Sequence, residues 1–195
     1  KVIFGENYIE EKFDNLTFKL SPSSFYQINT NMMKKLYDKT IEYVTTINNN
    51  TILDLYCGIG TITTLLASHA KRVVGIEMVK TAIDNATDNL AINGINNVIF
   101  MHGKVENVIN SLEEETIDTV VMDPPRNGVD KKALDTIIKI SPKQIVYVSC
   151  NPVTLARDLK ILNTAGYKII EVTPFDMFPQ TSHVETVCLI EASKS

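Results

Sequence analysis

The sequence predicts an α/β fold: a mostly parallel seven-stranded sheet with helices on both faces and an antiparallel pair at one edge. Three observations lead there. Runs rich in β-branched and aliphatic residues recur at about 51–56, 72–77, 97–102, 118–123, 144–149, 167–173 and 184–191. The first six are separated by segments long enough for helices, and strands that alternate with helices form parallel sheets covered on both faces. The last two follow one another without such a segment, so they pair antiparallel at an edge.

Each element has a local cause. Residues 2–20, "VIFGENYIEEKFDNLTFKL", alternate in character around turn signals at Gly5-Glu6-Asn7 and Asp14-Asn15, which predicts short antiparallel strands. From Thr30 the apolar positions Met33, Leu36, Tyr37, Ile41 and Val44 keep helical spacing, and Asn48-Asn49-Asn50 ends that helix. The alternation of strands and helices then begins. Residues 1–28 read as a remnant of a preceding domain, and residues 29–195 as the α/β domain proper.

Composition narrows the class. With 195 residues, 44% hydrophobic and 22% charged, the chain can build one globular domain with a full core. It has no apolar run of transmembrane length, no signal-peptide pattern and no low-complexity tract, so a soluble, cytoplasmic, monomeric protein without membrane contact is expected. Cys57, Cys150 and Cys188 have no metal-ligand or framework spacing, which predicts reduced thiols and no metal site. A net charge of −4 argues against nucleic-acid binding by bulk electrostatics. The chain opens on Lys1 rather than Met, as a fragment of a longer protein would.

In a doubly wound sheet, ligands bind outside the carboxyl ends of the strands, so the residues just past each strand carry the information. After the first comes "DLYCGIGTIT" with Gly58 and Gly60 in the turn that opens a helix, and after the second "GIEMV" with Glu77. After the fourth comes "MDPPRNG" with Asp123, and after the fifth "SCNP" with Cys150. Glu77 stands where an acid hydrogen-bonds a ribose diol in dinucleotide folds. The third glycine of the dinucleotide fingerprint is replaced by Thr63, however, and no group caters for a pyrophosphate. A nucleoside cofactor without pyrophosphate fits better than NAD. S-adenosylmethionine is the candidate, with Asp54 near its cationic sulfonium.

Cys150 ends the run "IVYVS" and precedes Asn151-Pro152 and a helical segment, which puts it at a strand-to-helix corner. A helix N-terminus there would favour thiolate over the usual pKa of about 8.5. Cys57 and Cys188 lie in apolar contexts and read as inert. In "DPPR", Arg126 takes the place of the aromatic residue that follows [D/N]-P-P in amino-group methyltransferases, and it suits phosphate or base-edge contact. Arg157 and Lys160 in "TLARDLKIL" read as a solvated helix face.

Six ordered motifs, "FYQIN" (25–29), "DLYCGIGTIT", "GIEMVKTAIDNATDNLAINGINN", "MDPPRNGVD", "VYVSCNPVTLARDL" and "HVETVCLIE", resemble the RNA 5-methyluridine methyltransferase family from about residue 21 to the end. The resemblance implies a class I Rossmann-like methyltransferase fold and an S-adenosylmethionine-dependent enzyme that methylates uridine at C5, with ribosomal RNA favoured over transfer RNA. It implies that Gln27, Tyr56, Gly58, Gly60, Glu77 and Asp123 hold the cofactor, that Cys150 is the nucleophile and that Glu185 is the general base. Members usually carry an N-terminal RNA-binding barrel, often with an iron–sulfur cluster, and a small central domain, neither of which this sequence contains. The chemistry is consistent with those roles. Uracil C5 is a poor nucleophile until a thiolate adds at C6, and a base must then strip the C5 proton to expel the thiolate. His183 is the alternative base. Methylation of cytosine C5 or of an exocyclic amine, and a non-catalytic RNA-binding module, are the competing readings.

Overall fold

The structure, a computed structural model, describes residues 8–22, 26–112 and 115–193. Residues 1–7, Phe25 of the "FYQIN" motif and parts of the proposed 1–28 remnant lie outside them. A hairpin of β1 (Ile9–Phe13) and β2 (Leu16–Leu20) turns at Asp14, whose φ of 50° is a left-handed turn conformation. The hairpin lies on the helix α3 (Lys80–Ile92), held by an asparagine ladder. Asn93 accepts from the Thr17 N–H (2.9 Å) and donates to its carbonyl (2.8 Å), and Asn89 accepts from the Lys19 N–H (2.8 Å).

Helix α1 (Thr30–Val44) occupies the span its apolar spacing predicts and is capped by Asn29, whose side chain accepts from the Met32 N–H. It ends before Asn48; Asn49 and Asn50 instead open the first strand of the main sheet. That sheet contains β3 (Asn49–Leu55), β4 (Ala70–Glu77), β5 (Val98–His102), β6 (Thr119–Met122), β7 (Gln144–Ser149), β8 (Tyr167–Phe175) and β9 (Glu185–Ala192). Its order is β5-β4-β3-β6-β7-β9-β8. The first five are parallel, and β9 runs antiparallel to both β7 and β8. The expected antiparallel edge pair is present, with the last strand of the chain tucked inside and β8 outermost. Because β9 is reversed, its first residue lies at the carboxyl edge of its parallel neighbour, where Thr186 pairs with Ser149.

Side chains along each strand alternate between two cores. Ile52, Val73, Val121, Val146, Val148 and Val187 pack beneath α1, α3, the hairpin and α2 (Thr61–Leu66). Leu53, Leu55, Val74, Val120, Met122, Tyr147 and Cys188 pack beneath α4 (Val105–Val108), α5 (Lys131–Ile140) and α6 (Pro152–Thr164). Residues 52–55 of β3, 73–76 of β4 and all of β6 and β7 are buried, as a sheet covered on both faces requires.

The amino edge is closed by polar pairing. Asp118, 1% exposed, accepts from the Asn50 N–H (2.7 Å), the Thr51 N–H (3.2 Å) and Lys143 Nζ (2.7 Å). Beside it, Gln144 donates to the Tyr43 carbonyl and accepts from Thr119.

Candidate active site

The turn after β3 is built by backbone geometry. Tyr56, Gly58 and Gly60 take φ values of 64°, 55° and 77°, which cost glycine nothing and tyrosine a penalty. At Gly60 the space is filled as well: a Cβ would come within 2.6 Å of the Phe100 ring and 3.1 Å of Ala86. A Cβ on Gly58 would meet nothing within 4 Å, so the turn is open on that side. Glu77, at the end of β4, accepts from the Gly58 N–H with one oxygen (3.1 Å) and from the Val79 N–H with the other (2.8 Å). The two segments predicted to share a nucleoside are thus tied together by the predicted carboxylate.

The left-handed corner also turns Tyr56. Asp54 projects toward α2, but the ring of Tyr56 packs on the opposite face of the sheet against the core beneath α4 to α6. Burial, then the charges of Glu106, Asp130 and Asp158, push its phenol up to about 12. Its ring therefore points away from the face toward which Asp54 projects.

Strand parity brings the remaining groups to one side. Asp54, Asp123, Cys150 and Glu185 continue the alternation of Ile52, Val121, Val148 and Val187, so all four face the side covered by α1 and α2. Gln27, 8% exposed, lies in the segment leading into α1. That segment is tied to the loop before β9 by a hydrogen bond from Asn29 Nδ2 to the Met177 carbonyl (3.0 Å). Tyr37 of α1 reports the convergence: burial first, and then the charges of Asp123, Tyr26, Asp54 and Glu185, drive its phenol far above the ordinary value. His183 is exposed, whereas Glu185 is 6% exposed.

Among the described residues, no cation pulls on Asp54 or Asp123, and Arg126 only partly offsets the burial of Glu185. Asp54 is 1% exposed and accepts from Thr63 Oγ1 (2.5 Å); burial outweighs that bond and, with Glu77 nearby, pushes it up to about 7. Burial, then Glu185 and Asp54, push Asp123 up to about 8. Glu185 is raised by burial, against the pull of Arg126.

Cys150 corrects one expectation. Its thiol is held above the ordinary value, by burial and then by Glu185 and Asp123, with Arg126 opposing. Burial first, and then the two neighbouring carboxyls, outweigh the helix N-terminus that was expected to favour thiolate. Burial also raises Cys57 well up and Cys188 to about 12; Cys150 differs from Cys188 by its place at the carboxyl edge and from Cys57 by its seat beside Glu185, Asp123 and Arg126.

A second correction concerns α6. Lys160 is exposed, as a solvated face requires, but Arg157 is not simply solvated. It donates to the carbonyls of Asn127 (3.0 Å) and Val129 (3.2 Å) in the loop that follows Asp123. Its neighbour Asp158 is fully buried and accepts from the Val129 N–H (2.9 Å) and the Tyr147 hydroxyl (2.8 Å). The readable signal is an acid in an apolar stripe, since Asp158 shares its buried face with Leu155, Leu159 and Leu162.

A family model described as tRNA (uracil-5-)-methyltransferase matches residues 1–193. The chain belongs to that family. A protein of Oceanobacillus iheyensis named as an uncharacterized RNA methyltransferase is 50% identical over 189 residues, covering 96% of this chain and 41% of that protein. A similarly named protein of Caldanaerobacter subterraneus is 49% identical over 192 residues, covering 97% of this chain and 42% of its own length. Among solved structures, the tRNA (uracil-54, C5)-methyltransferase of Pyrococcus abyssi, in complex with S-adenosyl-L-homocysteine, superposes with a TM-score of 0.85 at 35% identity. That match covers 96% of this chain and 44% of the Pyrococcus protein. The chain therefore spans less than half the length of these relatives. The sheet is that of a class I methyltransferase, and the uracil-5 methyltransferase family supplies its sequence motifs.

Proposed function

We propose that this chain is the catalytic portion of a longer enzyme that methylates C5 of a uridine in RNA, with S-adenosylmethionine as donor and a covalent bond between Cys150 and uracil C6. The reversed strand β9 carries the reading, because it seats the buried carboxyl of Glu185 at the carboxyl edge, on the same face as Cys150 and Asp123. A fold that needed only to bind a nucleoside has no use for a thiol and a carboxyl in that corner. Residues 1–28 fit as the remnant of a preceding domain, with residues 29–195 forming the methyltransferase domain.

The residues present suit S-adenosylmethionine. Glu77 keeps acceptor capacity for a ribose diol, the turn at Gly58 is open, and Asp54 and Asp123 are carboxyls raised to about 7 and about 8 that a bound cation would draw back to their charged forms. Gly60 shapes the turn, the buried Gln27 would reach the cofactor from the segment before α1, and Tyr56 takes part through its backbone at the corner. When bound, the cofactor supplies an electrophilic methyl group. The chain's own residues do the rest. The Cys150 thiolate adds to C6, which places electron density on C5. Glu185 later takes the C5 proton, the C5–C6 double bond re-forms and the C6–S bond breaks, returning the thiolate. Arg126 at the mouth of the site steadies both the thiolate and the Glu185 carboxylate. Uridine reaches the edge by leaving its stack, at a cost of a few kcal/mol that is least in loops.

The decisive experiment uses two variants with RNA and labelled donor. Cys150→Ala gives neither methylation nor a covalent protein–RNA species. Glu185→Gln permits addition and methylation but accumulates a labelled band shifted by the mass of the RNA. Methylation by Cys150→Ala overturns the covalent route, and a Glu185→Gln variant with unchanged turnover moves the base to His183. For the RNA class, sequence reading favours ribosomal RNA, while the solved relative named for uracil-54 supports transfer RNA. Nucleoside mass spectrometry of the two RNA pools from cells lacking the gene separates them.

A further inference from the structure

The loop from Asp123 to Val129 carries two groups of the site, Asp123 and Arg126, yet its tip, residues 125–127, is exposed. What holds it is one face of α6. Asn151, the N-cap of that helix, donates from Nδ2 to the Arg126 carbonyl (3.0 Å) while its Oδ1 accepts from the Val153 N–H (3.0 Å). Thr154 Oγ1 reaches the same Arg126 carbonyl (3.3 Å). One turn further, Arg157 Nη2 donates to the carbonyls of Asn127 (3.0 Å) and Val129 (3.2 Å). Asp158 Oδ2 accepts from the Val129 N–H (2.9 Å). Positions 151, 154, 157 and 158 follow helical spacing along one side, and together they hold the backbone of residues 126, 127 and 129.

Asp158 is the keystone of this face. It is fully buried, which a carboxylate tolerates only when every lone pair is used. Here Oδ1 takes Arg157 through Nε (2.8 Å) and Nη2 (2.8 Å), and Oδ2 takes the Val129 N–H together with the Tyr147 hydroxyl (2.8 Å) of β7. Gly128 makes the fit possible. Its φ is +74°, and a Cβ there would fall 2.6 Å from Arg157 Nη2, 2.6 Å from Asp158 Oδ2 and 3.0 Å from the Thr154 Cβ. The loop therefore lies directly on the helix, and that helix begins two residues after Cys150.

We propose that Arg157 and Asp158 are positioning residues that latch the Asp123–Val129 loop to the helix following Cys150, fixing Asp123 and Arg126 against the nucleophile. The latch rests on the reading of Cys150 as nucleophile. Neither residue touches the reacting atoms; the ladder registers β6 with β7 as far as Met122 and Tyr147, and Arg157 and Asp158 hold the loop that runs on beyond it. Rate should depend on such registry steeply, because a displacement of about 1 Å in a catalytic group can cost roughly a hundredfold.

The test compares the full-length parent enzyme with Arg157→Ala, Arg157→Lys and Gly128→Ala, and uses Cys150→Ala as control. RNA carrying 5-fluorouridine is the probe, because fluorine at C5 cannot leave as a proton does and so the methylated cysteine adduct persists. At saturating RNA and S-adenosylmethionine, Arg157→Ala is expected to slow adduct formation by about tenfold to a hundredfold. Both KM values should stay near those of the parent, while the thermal midpoint should fall because the buried Asp158 carboxylate loses its counter-charge, so rates are compared per folded protein at a temperature below both midpoints. Arg157→Lys should recover part of the rate, since an ammonium can serve one carbonyl and Asp158 but not the whole fork. Gly128→Ala should fail in the same way as Arg157→Ala. If Arg157→Ala forms adduct at the parent rate, or loses rate only as much as it loses folded protein, the latch is wrong. If the parent itself gives no Cys150-dependent adduct, it is the nucleophile reading that fails.

Discussion

Strand β6 begins beside the buried Asp118 and ends beside the half-buried Asp123, five residues apart, and the two behave in opposite ways. At the amino end, burial raises the pKa of Asp118, but the Lys143 ammonium and the Asn50 and Thr51 N–H groups more than reverse it, and the net shift is downward. At the carboxyl end, Asp123 is pushed up to about 8 by burial and by Glu185 and Asp54, with no cation to answer. The two sites differ in whether the fold supplies the partner. A charge that serves stability is paired by the chain, whereas a charge that serves a ligand is left for the ligand to complete.

The largest expected effect comes from exchanging the roles of the two ends. Asp123→Asn should reduce kcat/KM for methylation on the order of a hundredfold, the equivalent of about 3 kcal/mol for losing one partner of a buried charge contact. Asp118→Asn should leave it within a small factor of the parent. Equal losses in the two variants, measured under the same conditions, would remove the distinction between the ends.

Stability should move the other way. Asp118→Ala is expected to cost about 2 kcal/mol, mainly because two backbone N–H groups lose their acceptor. The Lys143 contact adds little, since that side chain is 63% exposed. The two ends also predict opposite pH dependences. Asp54 and Asp123, raised to about 7 and about 8, bind protons in the folded chain that the unfolded chain releases near pH 4. Their contribution is complete below about pH 4 and is lost as pH rises through 7 and 8. Asp118, lowered, contributes above its unfolded value and is lost as pH falls through its folded one. Urea midpoints between pH 3 and 8.5 should therefore show Asp123→Asn flattening the alkaline side of the profile and Asp118→Asn the acid side.

The smallest effect is on thiol chemistry. Glu185→Gln removes one negative neighbour of Cys150, so alkylation at pH 8 should quicken by a few-fold. Cys188, fully buried on the opposite face, should stay unreactive in both proteins. Slower alkylation in the variant would mean that Glu185 assists the thiolate rather than opposing it.

Much of this was readable before any coordinates. The buried run before Cys150, the glycine turn, Glu77 at its offset and the missing helix before β9 are local patterns. From them follow the parallel sheet, the occupied edge and the reversal that carries Glu185 there. What escaped depends on partners distant in sequence. Arg157 looks solvated in α6 because its acceptors, the carbonyls of Asn127 and Val129, leave no mark in composition. The thiol of Cys150 reads as acidified from its helix alone, because the opposing carboxylates arrive on β6 and β9. The direction of the Tyr56 ring is set by one positive φ, which alternation along a strand would not anticipate.

Glu77 has one further consequence. Its two oxygens are each already fastened to a backbone N–H, one at Gly58 and one at Val79, so the carboxylate is locked in a single rotamer before any ligand arrives. Each oxygen retains a second lone pair, and those two are aimed by the first pair of bonds. A vicinal diol docking there would meet a finished template instead of a swinging arm. It would escape the roughly 0.5–1.5 kcal/mol of ordering entropy that immobilising such a side chain otherwise costs. Glu77→Asp, one methylene shorter, keeps the charge but cannot span both N–H groups, so the entropic part of the binding signature in calorimetry should worsen even where the contact survives.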